Sequence, residues 1–249
     1  MDNSLLVSLS QQLAAYRSID VIANNLANAS TPGFKREAAK FEEFVVQVRP
    51  AEDQVGPQSL SFVKDAGVLR DLAQGELRGT GAPLDFAING KGFFTVQTPA
   101  GMRYTRDGHF TLDQNGQLVT SDGYAVQGDG GAITITPDDG NISVGPDGTI
   151  SSILNGASNQ IGKLQIVDFA NERTMVKEGA NLYSTSQTPT AATDSTVAQN
   201  MLEGSNVSPV IEISHMVEVM RAYQMTATLS NSQEDLIRQA IDKLGSTPN

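Results

Sequence analysis

The chain has 249 residues, of which 39% are hydrophobic, and a formal net charge of -11. That is enough apolar material for one large core or two small ones, and the acidic balance excludes nucleic acid as a main partner because a phosphate backbone repels it. Cys is absent, which rules out a disulfide framework, a thiolate nucleophile and Cys-ligated zinc.

The first residues carry no basic leader and no unbroken apolar run, so no Sec signal peptide is expected. No stretch approaches the roughly 18 apolar residues that a spanning helix needs, so no direct membrane insertion is expected. From Asp2 or Asn3 to about Asn28, apolar residues fall at Leu5, Leu6, Leu9, Leu13, Tyr16, Ile19, Ile22, Ala23, Leu26 and Ala27. Spacings of three and four put them on one stripe of an amphipathic helix of about seven turns. Thr31-Pro32-Gly33 ends it, because Pro disfavours helical geometry in the residue before it and Gly accepts positive φ.

Residues 36–80 read as an extended connecting region. Phe41, Phe44, Val45, Val46 and Val48 suggest a helix end or a strand, and Arg49-Pro50 to Pro57 a loop. The texture then changes: eight Asn-Gly or Asp-Gly pairs lie between Asn89-Gly90 and Asn155-Gly156, separated by alternating runs such as HFTLD and QLVTS. Repeated hairpin signals of this kind predict a β-rich outer domain over 81–185. A Ser/Thr/Ala-rich stretch, 186–207, reads as a linker.

Over 208–249, Ser208-Pro209 is a helix start and Gly245 with Pro248 a stop. Ile213, Met216, Met220, Tyr223, Ala227, Ser230, Glu234, Ile237, Ile241 and Leu244 follow steps of three and four, a pattern suited to pairing with another helix. The fold class is therefore α+β: discontinuous N- and C-terminal α-helices in a coiled-coil-like pair, with a central all-β domain.

Chemistry is sparse. The two His residues, His109 and His215, have no nucleophile elbow nearby. Gly79-Thr80-Gly81 and Gly90-Lys91-Gly92 lack phosphate-loop spacing. The Asp-rich turns, Asp138-Asp139-Gly140 among them, lack a calcium-loop pattern. No catalytic residue, cofactor, metal or small-molecule substrate is expected.

Three segments resemble one family. IDVIANNLANASTPGFKRE (19–37) is similar to the N-terminal signature of the bacterial flagellar axial proteins, the basal-body rod and hook family. LEGSNVSPVIEISHMVEVMRAYQMT (202–226) is similar to its C-terminal signature. PLDFAINGKGFFTVQTPAGMRYTRDGHFTLDQNGQLVTSDGYAVQG (83–128) resembles the β segment shared by rod and hook members. Length and the TPGF loop most resemble the proximal-rod members, with the distal-rod members as the close alternative; a hook-type role or a secreted adhesive β module are further alternatives.

The resemblance implies terminal helices joined into a tube with β domains outside, helical stacking around an export channel, and torque transmission. It implies as partners copies of the chain, other rod proteins and the flagellar type III export apparatus, with a periplasmic basal-body location and no cleaved signal peptide. Residues expected at subunit interfaces are Leu9, Leu13, Tyr16, Ile19, Ile22, Asn24, Asn25, Leu26, Asn28, Phe34, Met216, Met220, Arg221, Tyr223, Ile237 and Ile241. Amides suit Asn24, Asn25 and Asn28 because an amide donates and accepts hydrogen bonds without adding charge to a crowded contact.

Overall fold

The computed structural model describes residues 2–48, 58–136, 141–154 and 157–245. It divides into two units, one of residues 1–27, 37–70 and 208–249, the other of residues 28–36 and 71–207.

The first unit holds helix α1 (Asp2–Ala27), strands β1 (Glu37–Val48) and β2 (Gln58–Arg70), and helix α2 (Pro209–Gly245). α1 stops ahead of Thr31-Pro32-Gly33, as the proline predicts. α2 opens at Pro209, whose missing N–H is one that no first-turn residue uses, and the Glu212 N–H donates to Ser208 O at 3.0 Å. The apolar run 41–48 is a strand: β1 and β2 pair antiparallel from Glu37↔Arg70 to Val48↔Gln58, with an irregularity between Ala39 and Phe41. The loop expected over 49–57, the stop at Pro248 and the turns at Asp138-Asp139-Gly140 and Asn155-Gly156 lie outside the described residues.

α1 lies against α2 and against both strands. The Val63 N–H donates to Ser10 Oγ at 3.4 Å, and Arg17 reaches Asp65 at 3.2 Å. The covered face of α1 is unlike the apolar stripe of the sequence. Ser8, Val21, Ile22 and Asn25 are buried and Ala14, Ala15 and Ser18 half-buried. Ser8 and Ser18 return their hydroxyls to Leu5 O and Ala14 O, at 2.9 and 3.0 Å, which makes them compatible with a close-packed helix.

The second unit contains, in chain order, β3 (Leu77–Gly79), β4 (Phe86–Asn89), β5 (Phe93–Thr98), β6 (Gly101–Thr105), β7 (Phe110–Leu112), β8 (Leu118–Thr120), β9 (Ala125–Gly128), β10 (Gly131–Ala132), β11 (Asn141–Val144), β12 (Thr149–Leu154), β13 (Ala157–Lys163), β14 (Ile166–Asp168), β15 (Val176–Lys177), β16 (Leu182–Ser184), β17 (Thr190–Ala191), β18 (Thr196–Gln199) and β19 (Met201–Glu203). The main sheet runs β15-β16-β6-β5-β9-β8-β7, with β10 on β9 and β14 joining β5 to β17; β11-β12-β13 form a separate sheet. Asn115-Gly116, Asp122-Gly123, Asp129-Gly130 and Asp147-Gly148 turn β7 into β8, β8 into β9, β9 into β10 and β11 into β12. At the first of these, Asp113 Oδ1 accepts the N–H groups of Asn115 and Gln117, both at 2.8 Å, and Gly116 takes φ +77°.

β5 explains where the core sits. Its successive side chains point to opposite faces, and both faces are covered. Phe94 and Val96 enter a cluster with Phe86, Phe110, Leu118 and Val126, while Phe93 enters another with Tyr104, Val167, Phe169, Met175 and Tyr183. Edge-to-face rings join these clusters internally: Phe94 with Phe110 at 5.3 Å, Tyr104 with Phe169 at 4.7 Å.

Residues 186–207 are not a linker. β18 pairs with β4 through Thr196↔Asn89 to Gln199↔Phe86, β19 with β3 through Met201↔Gly79 to Glu203↔Leu77, and β17 with β14. Ser and Thr masked short strands whose Val197 is buried; Thr and Val are β-branched and fit a pleated surface well.

Candidate assembly surface and buried polar ties

Both terminal helices present apolar side chains to solvent. On α1, Leu6, Leu9, Leu13 and Tyr16 recur every three or four residues and are 48% to 64% exposed, forming one stripe. On α2 the half-covered residues are Met216, Val219, Thr226, Ala227, Ser230, Gln233 and Ile237, following buried Glu212. Half of that stripe is polar, unlike a seam of apolar a and d residues. Ile213, Met220, Ile241 and Leu244, expected in the helix seam, face outward, as do Val217, Met225, Leu229 and Leu236. Arg221 and Tyr223 are exposed, and Ile19 and Leu26 half-buried.

Asn25 lies elsewhere than expected. It is fully buried within its own unit, so it is not available to a neighbouring copy. Its Nδ2 donates to Glu37 O at 2.7 Å and to Glu212 Oε2 at 3.0 Å, and its Oδ1 accepts the Glu37 N–H at 2.9 Å. One neutral amide thus satisfies both backbone groups at the start of β1 and one oxygen of a buried carboxylate in the first turn of α2, while the Glu37 carboxylate ties β1 to β2 through Arg70 at 2.9 Å. The expected chemistry of the amide holds, but within the chain. Asn25→Ala removes three hydrogen bonds, one of them to the buried Glu212 carboxylate, where a lost partner costs about 1–3 kcal/mol; thermal melting followed by helical circular dichroism should show a lowered midpoint. Ile22 is buried too. Asn24 is exposed, and Asn28 accepts the Thr31 N–H at 3.1 Å and the Thr31 hydroxyl at 3.2 Å, which forms the turn after α1.

A second tie fills the loop after that turn. Phe34 is buried beneath the Lys177 ammonium, 4.0 Å from the ring centroid, a cation–π contact inside the second unit rather than a surface for a neighbour. Asn181 donates to Pro32 O at 3.3 Å. Lys35, next in sequence, is buried and donates to Glu203 Oε1 at 2.6 Å and to Ala73 O at 2.9 Å. The same oxygen accepts the Gly75 N–H at 2.9 Å, and Oε2 accepts from Arg106 Nη1 at 3.2 Å. Arg106 also donates to Gly90 O at 2.9 Å and stacks on Phe93 at 5.2 Å.

The main chain joins in. Gly33 N–H donates to Glu203 O at 2.7 Å. Asn206 accepts the Arg36 N–H at 2.7 Å and donates to Asp71 O and Ala73 O at 2.8 and 3.0 Å. Two buried cations therefore share one buried carboxylate. Burial pulls the Lys35 pKa below its ordinary value; Glu203 opposes that pull and Arg106 adds to it.

Gly33 has φ +67°, and a Cβ there would lie 2.5 Å from the backbone of Arg106 and Asp107. Gly33→Ala should therefore lower stability by more than the roughly 1–3 kcal/mol of a strained φ alone, as read from a urea midpoint. Lys35, Arg106, Glu203, Asn206 and Glu212 do not belong to any pattern of period two or 3.6. The available signal was a Lys directly after an apolar Phe and a lone Glu between apolar Leu202 and Gly204, charges where neighbours predict burial.

His109 Nδ1 lies 2.8 Å from buried Asp85, and the two residues also form an isolated antiparallel bridge just ahead of β7 and β4. Among the described residues no helix is long and apolar enough to cross a membrane.

Residues 5–35 match a family profile described as flagella basal body rod protein, residues 87–152 the flagellar hook protein FlgE/F/G D1 domain, and residues 198–243 the flagellar basal body rod FlgEFG protein C-terminal. The chain is 44% identical to the flagellar basal-body rod protein FlgF of Caulobacter vibrioides, over 98% of this chain and 99% of that protein. It is 36% identical to the FlgF of Mesorhizobium japonicum, over 99% of both, and 33% identical to the FlgG of Caulobacter vibrioides, over 98% and 99%. With likeness along nearly its whole length, and with the three matched segments in the same order as its helix, β domain and helix, the chain belongs to the flagellar basal-body rod protein family.

Proposed function

We propose that the chain is a structural subunit of the flagellar basal-body rod that polymerises helically and transmits motor torque without catalysing a reaction. The observation that carries this is the outward apolar stripe Leu6-Leu9-Leu13-Tyr16 on α1, matched by the outward apolar residues of α2. Stripes of this kind on terminal helices mark an interaction surface, and their burial between copies contributes about 25 cal/mol per Å². A contact in which one patch meets a different patch on the next copy does not close, and so builds a helical filament. Coiled-coil-like packing of the helices belongs to that assembled state.

The greater identity to FlgF than to FlgG of one organism, 44% against 33%, supports the proximal-rod member of the family. Copies of itself, other rod proteins and the flagellar type III export apparatus are its partners, and the periplasmic part of the basal body its location. The test is electron microscopy of basal bodies from cells lacking the chain. Arrest before the distal rod is expected; complete rods would overturn the reading.

A further inference from the structure

We propose that the chain carries a closing lock: the acceptors that finish its N-terminal segment come from its C-terminal segment, so residues 33–36 cannot reach their final place until residues 203–206 arrive. The inference is independent of the rod assignment and rests on which groups satisfy which.

Phe34 N–H donates locally, to Thr31 O at 3.3 Å. Gly33 N–H instead needs Glu203 O, the Lys35 ammonium needs a carboxylate 168 residues away, and Arg36 N–H needs an amide oxygen 170 residues away. Gly75 N–H waits for the same carboxylate, 128 residues on. In the first unit Asn25 and Glu212 meet across 187 residues. A polypeptide is made N-terminus first, so every one of these acceptors appears late.

The lock is all-or-none for an electrostatic reason. Without Glu203, burying Lys35 beside Arg106 would desolvate two like charges without the carboxylate that both of them touch, and a buried cation that lacks its partner is far costlier than a paired one. Without Lys35 and Arg106, Glu203 is in the same position. Neither segment can therefore dock ahead of the other. The hairpins β5–β6, β7–β8 and β8–β9 have no such wait: tight turns close them, and short closures are fast.

The test is pulse-labelled hydrogen exchange during refolding of the full-length chain from urea. Gly33, Arg36 and Gly75 amides should gain protection together, in a phase slower than the ladder amides of β5–β6 and β7–β8. In refolded Glu203→Gln, those three amides should lose at least about tenfold more equilibrium protection than the hairpin ladders do. Asn206→Ala, a milder change, should release Arg36 first. Protection of Gly33, Arg36 and Gly75 with or ahead of the hairpin ladders in the natural chain would overturn the proposal, as would full protection of all three in Glu203→Gln.

Discussion

Glu203→Gln should lower the stability of the second unit by about 3–5 kcal/mol, the range for removing one partner of a buried charge cluster. The change keeps side-chain size but removes the carboxylate that Lys35 and Arg106 both touch. It also turns an N–H₂ toward donors, since Oε1 serves Lys35 and Gly75 and Oε2 serves Arg106. Domains are stable by only about 5–15 kcal/mol, so the variant would stand near its unfolding threshold. Near-ultraviolet circular dichroism reports on this unit through Tyr104 and Tyr183, both buried in it. A midpoint within 0.5 kcal/mol of the natural chain, a bound typical of surface changes, would show that the cluster is not desolvated.

The same cluster gives a pH dependence of definite sign. The folded chain holds the Lys35 proton less tightly than the unfolded chain, whose lysine titrates at the ordinary 10.5. The unfolded state therefore binds more protons between the lowered value and 10.5, and stability from this group rises with pH across that window. Below the window the penalty is present in full. Subtracting the Lys35→Met profile isolates it from other titrating groups, and in Glu203→Gln the rise should begin at a lower pH.

Leu13→Asp should abolish assembly and leave the isolated chain almost unchanged. Leu13 is 64% exposed, so in the monomer the substitution is a surface change worth within about 0.5 kcal/mol. In a filament the carboxylate is buried at every contact, and an unpaired buried charge costs several kcal/mol each time. The expected readout is an unaltered melting curve with no filaments by electron microscopy and no swimming. Ile22→Asp is the contrast: Ile22 is buried within the chain, and that variant should fail to fold. Normal motility with Leu13→Asp would remove the α1 stripe from the interface.

Local periodicity carried the fold a long way. The spacing of Leu9, Leu13 and Tyr16 gave α1, Ser208-Pro209 gave the start of α2, and the Asn-Gly and Asp-Gly pairs gave hairpins, because each signal is confined to one turn of chain. What it could not give is pairing at a distance. The run at 196–199 looked like a linker because its partner, β4, lies over a hundred positions earlier in the chain. Asn25 looked like an interface residue because its two acceptors and one donor sit on β1 and α2, which no window around residue 25 contains. Periodicity also reports that a helix has an apolar side, not which side its own chain covers. On α2 the chain covers Met216, Thr226 and Ser230 and leaves Met220 and Ile241 outside; that outward placement is what a molecule needs if its own folding is to leave adhesive surface over.

The two-faced burial of β5 has a consequence for how the second unit fails. Phe93 and Phe94, neighbours in sequence, are floorboards of adjoining rooms. Emptying one room pulls up the floor of the other, because a strand cannot leave one side of a sheet and stay in the ladder. Damage to either cluster therefore spreads through a single strand to both, and the unit has no half-melted form in which one cluster survives intact.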